Sequence, residues 1–221
     1  MGTTETIDPE AIRSLMQEFT KAFGDEFITI GGWAVAAYGA KGKSLDGDAM
    51  ISYQVEGILR DSYLVEKNPR MAKSQFICEA GCDIDIYVER QHRLKVPFDE
   101  VQAHSKELGG LRVPCPEHLL ILKLDAYKCR RATPKGKKDQ EDLLQLLVKA
   151  PFKNPEILEA YLSEEDQAVV AAIIEDVALS QKLCAGNPVE AKTLRANAKT
   201  KLNGLLKKKL TSSPEQAPRI L

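Results

Sequence analysis

Residues 27–48, FITIGGWAVAAYGAKGKSLDGD, decide how this chain is to be read. The short apolar run 27–30 ends in Gly31-Gly32, the pattern of a buried strand running into a turn. Residues 33–38 predict a short helix stopped by Gly39, followed by a glycine-containing loop over 41–44 and a strand over 46–52. On such a strand the spacing Ser44-x-Asp46-x-Asp48 puts both carboxylates on one face. Two carboxylates side by side repel unless a cation sits between them, and oxygen donors of this kind suit Mg²⁺. The glycine pair lets backbone amides come close to a phosphate at the start of a helix, where anions are favoured.

Downstream, residues 83–89 alternate. Cys82, Ile84, Ile86 and Val88 share one face, and Asp83, Asp85 and Tyr87 the other. Either acid supplies a third carboxylate, and Asp85 is preferred because apolar Ile84 and Ile86 flank it. A third acid beside the first two completes a site for two ions about 3.5–4 Å apart, suited to in-line phosphoryl chemistry.

These stretches together resemble the nucleotidyltransferase superfamily, in particular its antibiotic-modifying and abortive-infection-type toxin branches. That family opens with a glycine pair after a strand, continues with two acids one residue apart and adds a third on a later strand. The matching residues here are Gly31-Gly32, Ser44-Leu45-Asp46-Gly47-Asp48 and Cys82-Asp83-Ile84-Asp85-Ile86. Gly47 stands where the family usually has an apolar residue. A second stretch, 116–127 with Arg130-Arg131 and Lys138-Asp139-x-x-Asp142, resembles the toxin-related branch, in which its lysine and arginine lie near phosphates.

The resemblance covers about residues 27–147 and implies an α+β fold: a small mixed sheet flanked by helices, followed by a C-terminal helical region. The pattern of elements along the chain predicts a catalytic part over 1–115, helices over 116–210 and a tail over 211–221. The resemblance also implies transfer of a nucleoside monophosphate from an NTP to an acceptor hydroxyl on a small molecule, an RNA end or a protein, with pyrophosphate leaving. Asp46, Asp48 and Asp85 are then the ligands of Mg²⁺ or Mn²⁺, while Gly31, Gly32, Ser44 and Lys123 contact the nucleotide.

Two other readings belong beside this one. Residues 37–44, AYGAKGKS, lack only the first glycine of a P-loop phosphotransferase in which Lys43 and Ser44 hold phosphates. That reading needs a strand over 33–38 and a helix from Lys43, and that helix would open with two acids against the triphosphate. The other is a catalytically silent binding module of the same fold.

The remaining sequence sets the frame. The 221 residues, 43% hydrophobic and 29% charged, are ordinary for a globular chain, and a net charge of −1 selects no partner. Over 186–210, seven cations (Lys192, Arg195, Lys199, Lys201, Lys207, Lys208, Lys209) face only Glu190, a basic strip that offers RNA or tRNA a surface. Five scattered cysteines (Cys78, Cys82, Cys115, Cys129, Cys184) fit free, mostly buried thiols. His92, His104 and His118 are isolated in sequence and are expected to be bystanders. The polar start of the chain and the lack of a long apolar run predict a cytoplasmic protein without a membrane span.

Overall fold

The computed structural model describes residues 8–41, 44, 46–62, 64–68, 73–77 and 83–206. Helix α1 (Pro9–Phe23) begins at a cap: the Asp8 side chain accepts from the Glu10 amide, and Pro9 takes the first helical position. Its buried face, Ile12, Met16 and Phe19, lies on the sheet. Strand β1 (Phe27–Thr29) is buried at every position and leads into α2 (Gly31–Ala37). After the loop comes β2 (Gly47–Ile51), then α3 (Tyr53–Ser62), β3 (Leu64–Asn68), β4 (Lys73–Ile77) and β5 (Asp83–Val88).

The five strands form one mixed sheet in the order β1-β2-β5-β4-β3. Only the β2–β5 pair is parallel, and α3 with the β3–β4 hairpin makes the crossover between them. Residues 55–65 have the sequence pattern of a single helix, but residues 64–68 form a strand. Helix α3 stops at Ser62, and β3 pairs with β4 instead.

Helix α4 (Phe98–Ala103) and the hairpin of β6 (Lys106–Leu108) with β7 (Leu111–Val113) close the front of the molecule. Helix α5 (Pro116–Arg130) follows. All of its first nine residues are buried, so no amphipathic stripe marks it. Within it, buried Glu117 accepts from the amides of Lys153 and Asn154 at 2.5 and 2.8 Å, pinning the chain ahead of α7 (Pro155–Tyr161).

Between them runs α6 (Pro134–Lys149), so the cationic stretch 130–138, loop-like in sequence, is mostly the start of this helix, capped by Thr133. A Cβ at Gly136 would lie 2.3 Å from the Arg130 carbonyl oxygen, so glycine is what lets α6 start against the end of α5. Helices α8 (Glu164–Glu175), α9 (Val177–Leu183) and α10 (Pro188–Leu206) complete the described chain, α8 with a Ser163–Asp166 capping box. One apolar cluster runs from Ile12 in α1 through the sheet and α5 to Leu205 in α10.

On the basic strip, Lys199 pairs with Glu175 and Arg195 donates to Ser180, while Lys201 donates to the Val148 and Ala150 carbonyls. Lys207, Lys208 and Lys209 lie outside the described residues, as do Cys78, Cys82 and the tail 211–221. Cys115 is buried, Cys184 partly so and Cys129 exposed, so burial does not extend to every described thiol. Among the described residues no helix is long and apolar enough to cross a membrane.

Candidate active site

The β2–β5 register sets Asp48 opposite Asp85 on adjacent parallel strands. Neighbouring strands lie about 4.8 Å apart, so the two side chains leave the sheet side by side. Asp85 is buried at 7% exposure and lines a cavity with Asp46 and Asp48. Of the two acids the sequence left open, Asp85 is therefore the one seen on the cavity; the Asp83 side chain lies outside the described residues.

Glycine at position 31 makes room for this arrangement. Its φ is +67°, and a Cβ there would stand 2.3 Å from Asp48 Oδ2. Ile30 fixes the same neighbourhood from the backbone, donating to the Asp48 carbonyl at 2.9 Å. Gly32 lines the cavity itself, where a Cβ would meet Ser44 Oγ at 2.9 Å and Lys138 Nζ at 3.3 Å.

Ser44 Oγ donates to Asp46 Oδ1 at 2.9 Å and accepts from Lys138 Nζ at 3.1 Å. Lys135 Nζ reaches Asp46 Oδ2 at 2.9 Å. Burial alone would raise the Asp46 carboxyl, but the hydrogen bonds from Lys135 and Ser44 and the charges of Lys135 and Lys138 outweigh it and hold the group at about 2. Asp46 is thus ionised throughout the neutral range. Gln145 steadies the loop from α6, accepting from the Lys41 amide at 2.7 Å and donating to its carbonyl at 3.2 Å.

Lys123 also lines the cavity, yet its ammonium is engaged by protein: Nζ lies 2.7 Å from Asp142 Oδ2 and 3.3 Å from Asp139 Oδ1. Burial would lower Lys123, but Asp142, Asp139 and Asp48 raise it, so the charge is kept at only 6% exposure. Arg130 holds Asp139 from the other side with two hydrogen bonds of 2.7 and 3.0 Å. The cavity is thus walled by four carboxylates (Asp46, Asp48, Asp85, Asp139) and four cations (Lys123, Arg130, Lys135, Lys138). An adjoining cavity shares Gly32, Ser44 and Lys138 and extends to Lys41 and Gln145.

Lys135 was not singled out from the sequence. Its signal is only that Pro134 and Thr133 start a helix, which places Lys135 and Lys138 three apart on one side of α6. The P-loop reading is overturned: residues 31–37 form a helix and residues 47–51 a strand, the reverse of what it requires. Lys43 itself lies outside the described residues.

All-oxygen donors on two adjacent strands, with cations around them, have the chemistry of a site that binds a hard divalent ion and a phosphate chain. No protein-family model matches this sequence, and no curated protein matches it. Among solved structures, JHP933 from Helicobacter pylori aligns with a TM-score of 0.49 at 13% identity, over 96% of this chain and 97% of that one. An antigenic nucleotidyltransferase-like protein from Paracoccidioides brasiliensis aligns with a TM-score of 0.50 at 16% identity, over 83% of this chain and 94% of that one. At such identity the likeness is one of fold, and the fold of this chain is nucleotidyltransferase-like.

Proposed function

We propose that the protein is a Mg²⁺- or Mn²⁺-dependent nucleotidyltransferase that transfers a nucleoside monophosphate from an NTP to an acceptor hydroxyl, releasing pyrophosphate. The observation that carries this reading is the in-register pair Asp48–Asp85 facing a cavity with Asp46. These three carboxylates would hold the metal, whose charge supplies electrostatic stabilisation of the transferring phosphoryl group and acidifies the acceptor hydroxyl.

The chain's own residues do the rest. Gly31 and Gly32 keep side chains out of the path of the phosphates. Ser44 donates to a phosphate oxygen once it turns from Asp46. Lys135 and Lys138, both able to exchange their present partners, neutralise the leaving pyrophosphate. Lys123, set in its carboxylate pair, fixes the cavity wall and adds charge from behind. The described part of the C-terminal basic helix keeps Lys192 as an exposed cation for an RNA acceptor.

The test is to incubate the full chain with each α-labelled NTP, Mg²⁺ and a cell extract, and to follow label and pyrophosphate. Label transferred to an acceptor with equimolar pyrophosphate, both lost in Asp85→Asn, is the expected result. Release of nucleoside diphosphate, or turnover unchanged in Asp85→Asn, overturns the reading.

A further inference from the structure

Helix α4 and the first turn of α5 bring together three side chains that are scattered in the sequence. Glu100 lies in α4, His104 follows four residues later at its C-terminal end, and His118 sits in the first turn of α5. One carboxylate oxygen of Glu100 and one ring nitrogen of each histidine all lie within 4.8 Å of one another. His118 Nε2 is 3.8 Å from Glu100 Oε2, and His104 Nδ1 is 4.0 Å from the same oxygen. The two rings meet edge to face at 84°, and Tyr161 of α7 stands edge-on to His118 from another side.

His118 sets this cluster apart from a chance meeting of surface groups. It is 0% exposed, and neither of its ring nitrogens has a hydrogen-bond partner. A buried polar group left unsatisfied costs about 1–3 kcal/mol, so a ligand that used this nitrogen would recover much of that penalty. Glu100 and His104 have side chains 49% and 42% exposed, so the donors can be reached from solvent.

We propose that Glu100, His104 and His118 form a binding site for one Zn²⁺-class transition-metal ion, with water completing its coordination, and that the ion clips α4 to α5. Two imidazoles and a carboxylate are the donor set such ions take, whereas Mg²⁺ prefers oxygen alone. Bonds of about 2.0–2.1 Å in a tetrahedron put ligand atoms about 3.3 Å apart. His104 Nδ1 also lies 3.1 Å from the Glu100 carbonyl oxygen, so its ring must turn from that contact to bind the ion, and the gaps of 3.8 and 4.0 Å close as the half-exposed Glu100 and His104 side chains rotate. The ion would tie the segment ahead of the β6–β7 hairpin to the helix that carries Lys123 and Arg130. Its donors are separate from Asp46, Asp48 and Asp85.

The test uses the full chain after chelator treatment, titrated with Zn²⁺ by calorimetry and with Co²⁺ by visible absorption. One equivalent of Zn²⁺ should bind and raise Tm, and Co²⁺ should give the intense visible bands of a four-coordinate ion. His104→Ala and Glu100→Gln, both at exposed positions, should weaken Zn²⁺ by about tenfold or more, at least the loss that outer-shell changes cause, and remove the Co²⁺ bands. Asp48→Asn should leave both signals intact. Unchanged Zn²⁺ affinity in His104→Ala and Glu100→Gln, or Zn²⁺ binding lost in Asp48→Asn alone, overturns the proposal.

Discussion

Asp48 and Asp85 are register partners on the one parallel strand pair of the described sheet, and both open onto the same cavity. Neighbouring carboxylates raise the free energy of the metal-free protein, and binding a cation between them recovers it. Mg²⁺ with an NTP should therefore raise Tm by mass action. In Asp48→Asn and Asp85→Asn the metal-free Tm should stay level or rise by about 2–4 °C, the equivalent of about 1 kcal/mol in a chain of this size. Their response to Mg²⁺ and NTP should vanish, while Asp83→Asn should keep it. Thermal scans with and without ligands decide this, and a full response in either of the first two variants would remove the acids from the metal site.

Gly31 is a sharper probe of the same spot, because it binds nothing through a side chain. Alanine there must carry a φ of +67° and put its Cβ 2.3 Å from Asp48 Oδ2. The strained backbone costs about 1–3 kcal/mol, and the Asp48 carboxylate must swing away. Gly31→Ala is expected to fold with a Tm lower by about 2–12 °C and to lose the metal response as Asp48→Asn does. The nearest atoms that Gly32→Ala meets belong to Ser44 and the far end of Lys138, so it should be milder on both counts. Equal, intact metal responses in the two variants would sink the steric argument.

What the sequence made legible is what depends on local pattern. Glycine after an apolar run, period-2 acids and capping residues are short-range signals, and α1, α2, β2, β5 and the Ser163–Asp166 box follow from them. The β3 strand did not, because residues 64–68 pair through β4 rather than through any pattern of their own. The site splits along the same line. The three acids lie in motifs, whereas Lys135 reaches Asp46 across 89 residues and His104 meets His118 only because the fold brings the end of α4 to the start of α5. Lys123 stands out as a lone lysine in an apolar run, but its carboxylate partners come from α6 and are set by helix packing.

Asp166 ties α8 to α5 and to the loop ahead of α4. It caps α8 through Ser163, and its carboxylate takes Lys95 and Lys128 at 2.7 Å each. Burial would raise it, but the Lys128, Lys95 and Ser163 hydrogen bonds win and hold it well below the usual carboxylate range. A depressed folded-state value means its contribution is present above the unfolded value, near 3.9, and is lost as pH falls below it. Asp166→Asn should therefore lower stability at pH 7 by about 1–3 kcal/mol, from one weakened cap and two lost ion pairs. The gap between variant and parent should narrow as pH drops from about 4 toward 2. Denaturant titrations at a series of pH values measure it, and a gap independent of pH would show that the carboxylate charge is not what matters.

Lys123 and Lys138 both line the cavity, and their surroundings assign them opposite phenotypes. Lys123 is 6% exposed between Asp139 and Asp142, themselves 1% and 6% exposed. Removing its charge leaves Asp142 buried without its cation, whereas Asp139 still has Arg130. Breaking a buried pair in this way costs about 3–5 kcal/mol, or a Tm lower by about 6–20 °C in a protein of this length. Lys138 is only partly buried, and its partner is the neutral Ser44 hydroxyl, so Lys138→Ala should shift Tm by no more than about 2 °C. The ligand response should reverse that order. Lys138 faces the space beside Gly32 and Ser44 where the proposed phosphates lie, and its loss should weaken NTP binding by about tenfold, a charge-assisted hydrogen bond of about 1.5 kcal/mol. Lys123→Ala, measured at a temperature where it is folded, should bind NTP within about threefold of the parent, because its ammonium is spent on Asp142. Thermal scans with NTP titrations on the two variants separate the roles. A stable Lys123→Ala protein that no longer binds NTP would return Lys123 to direct phosphate contact and make Lys138 the bystander.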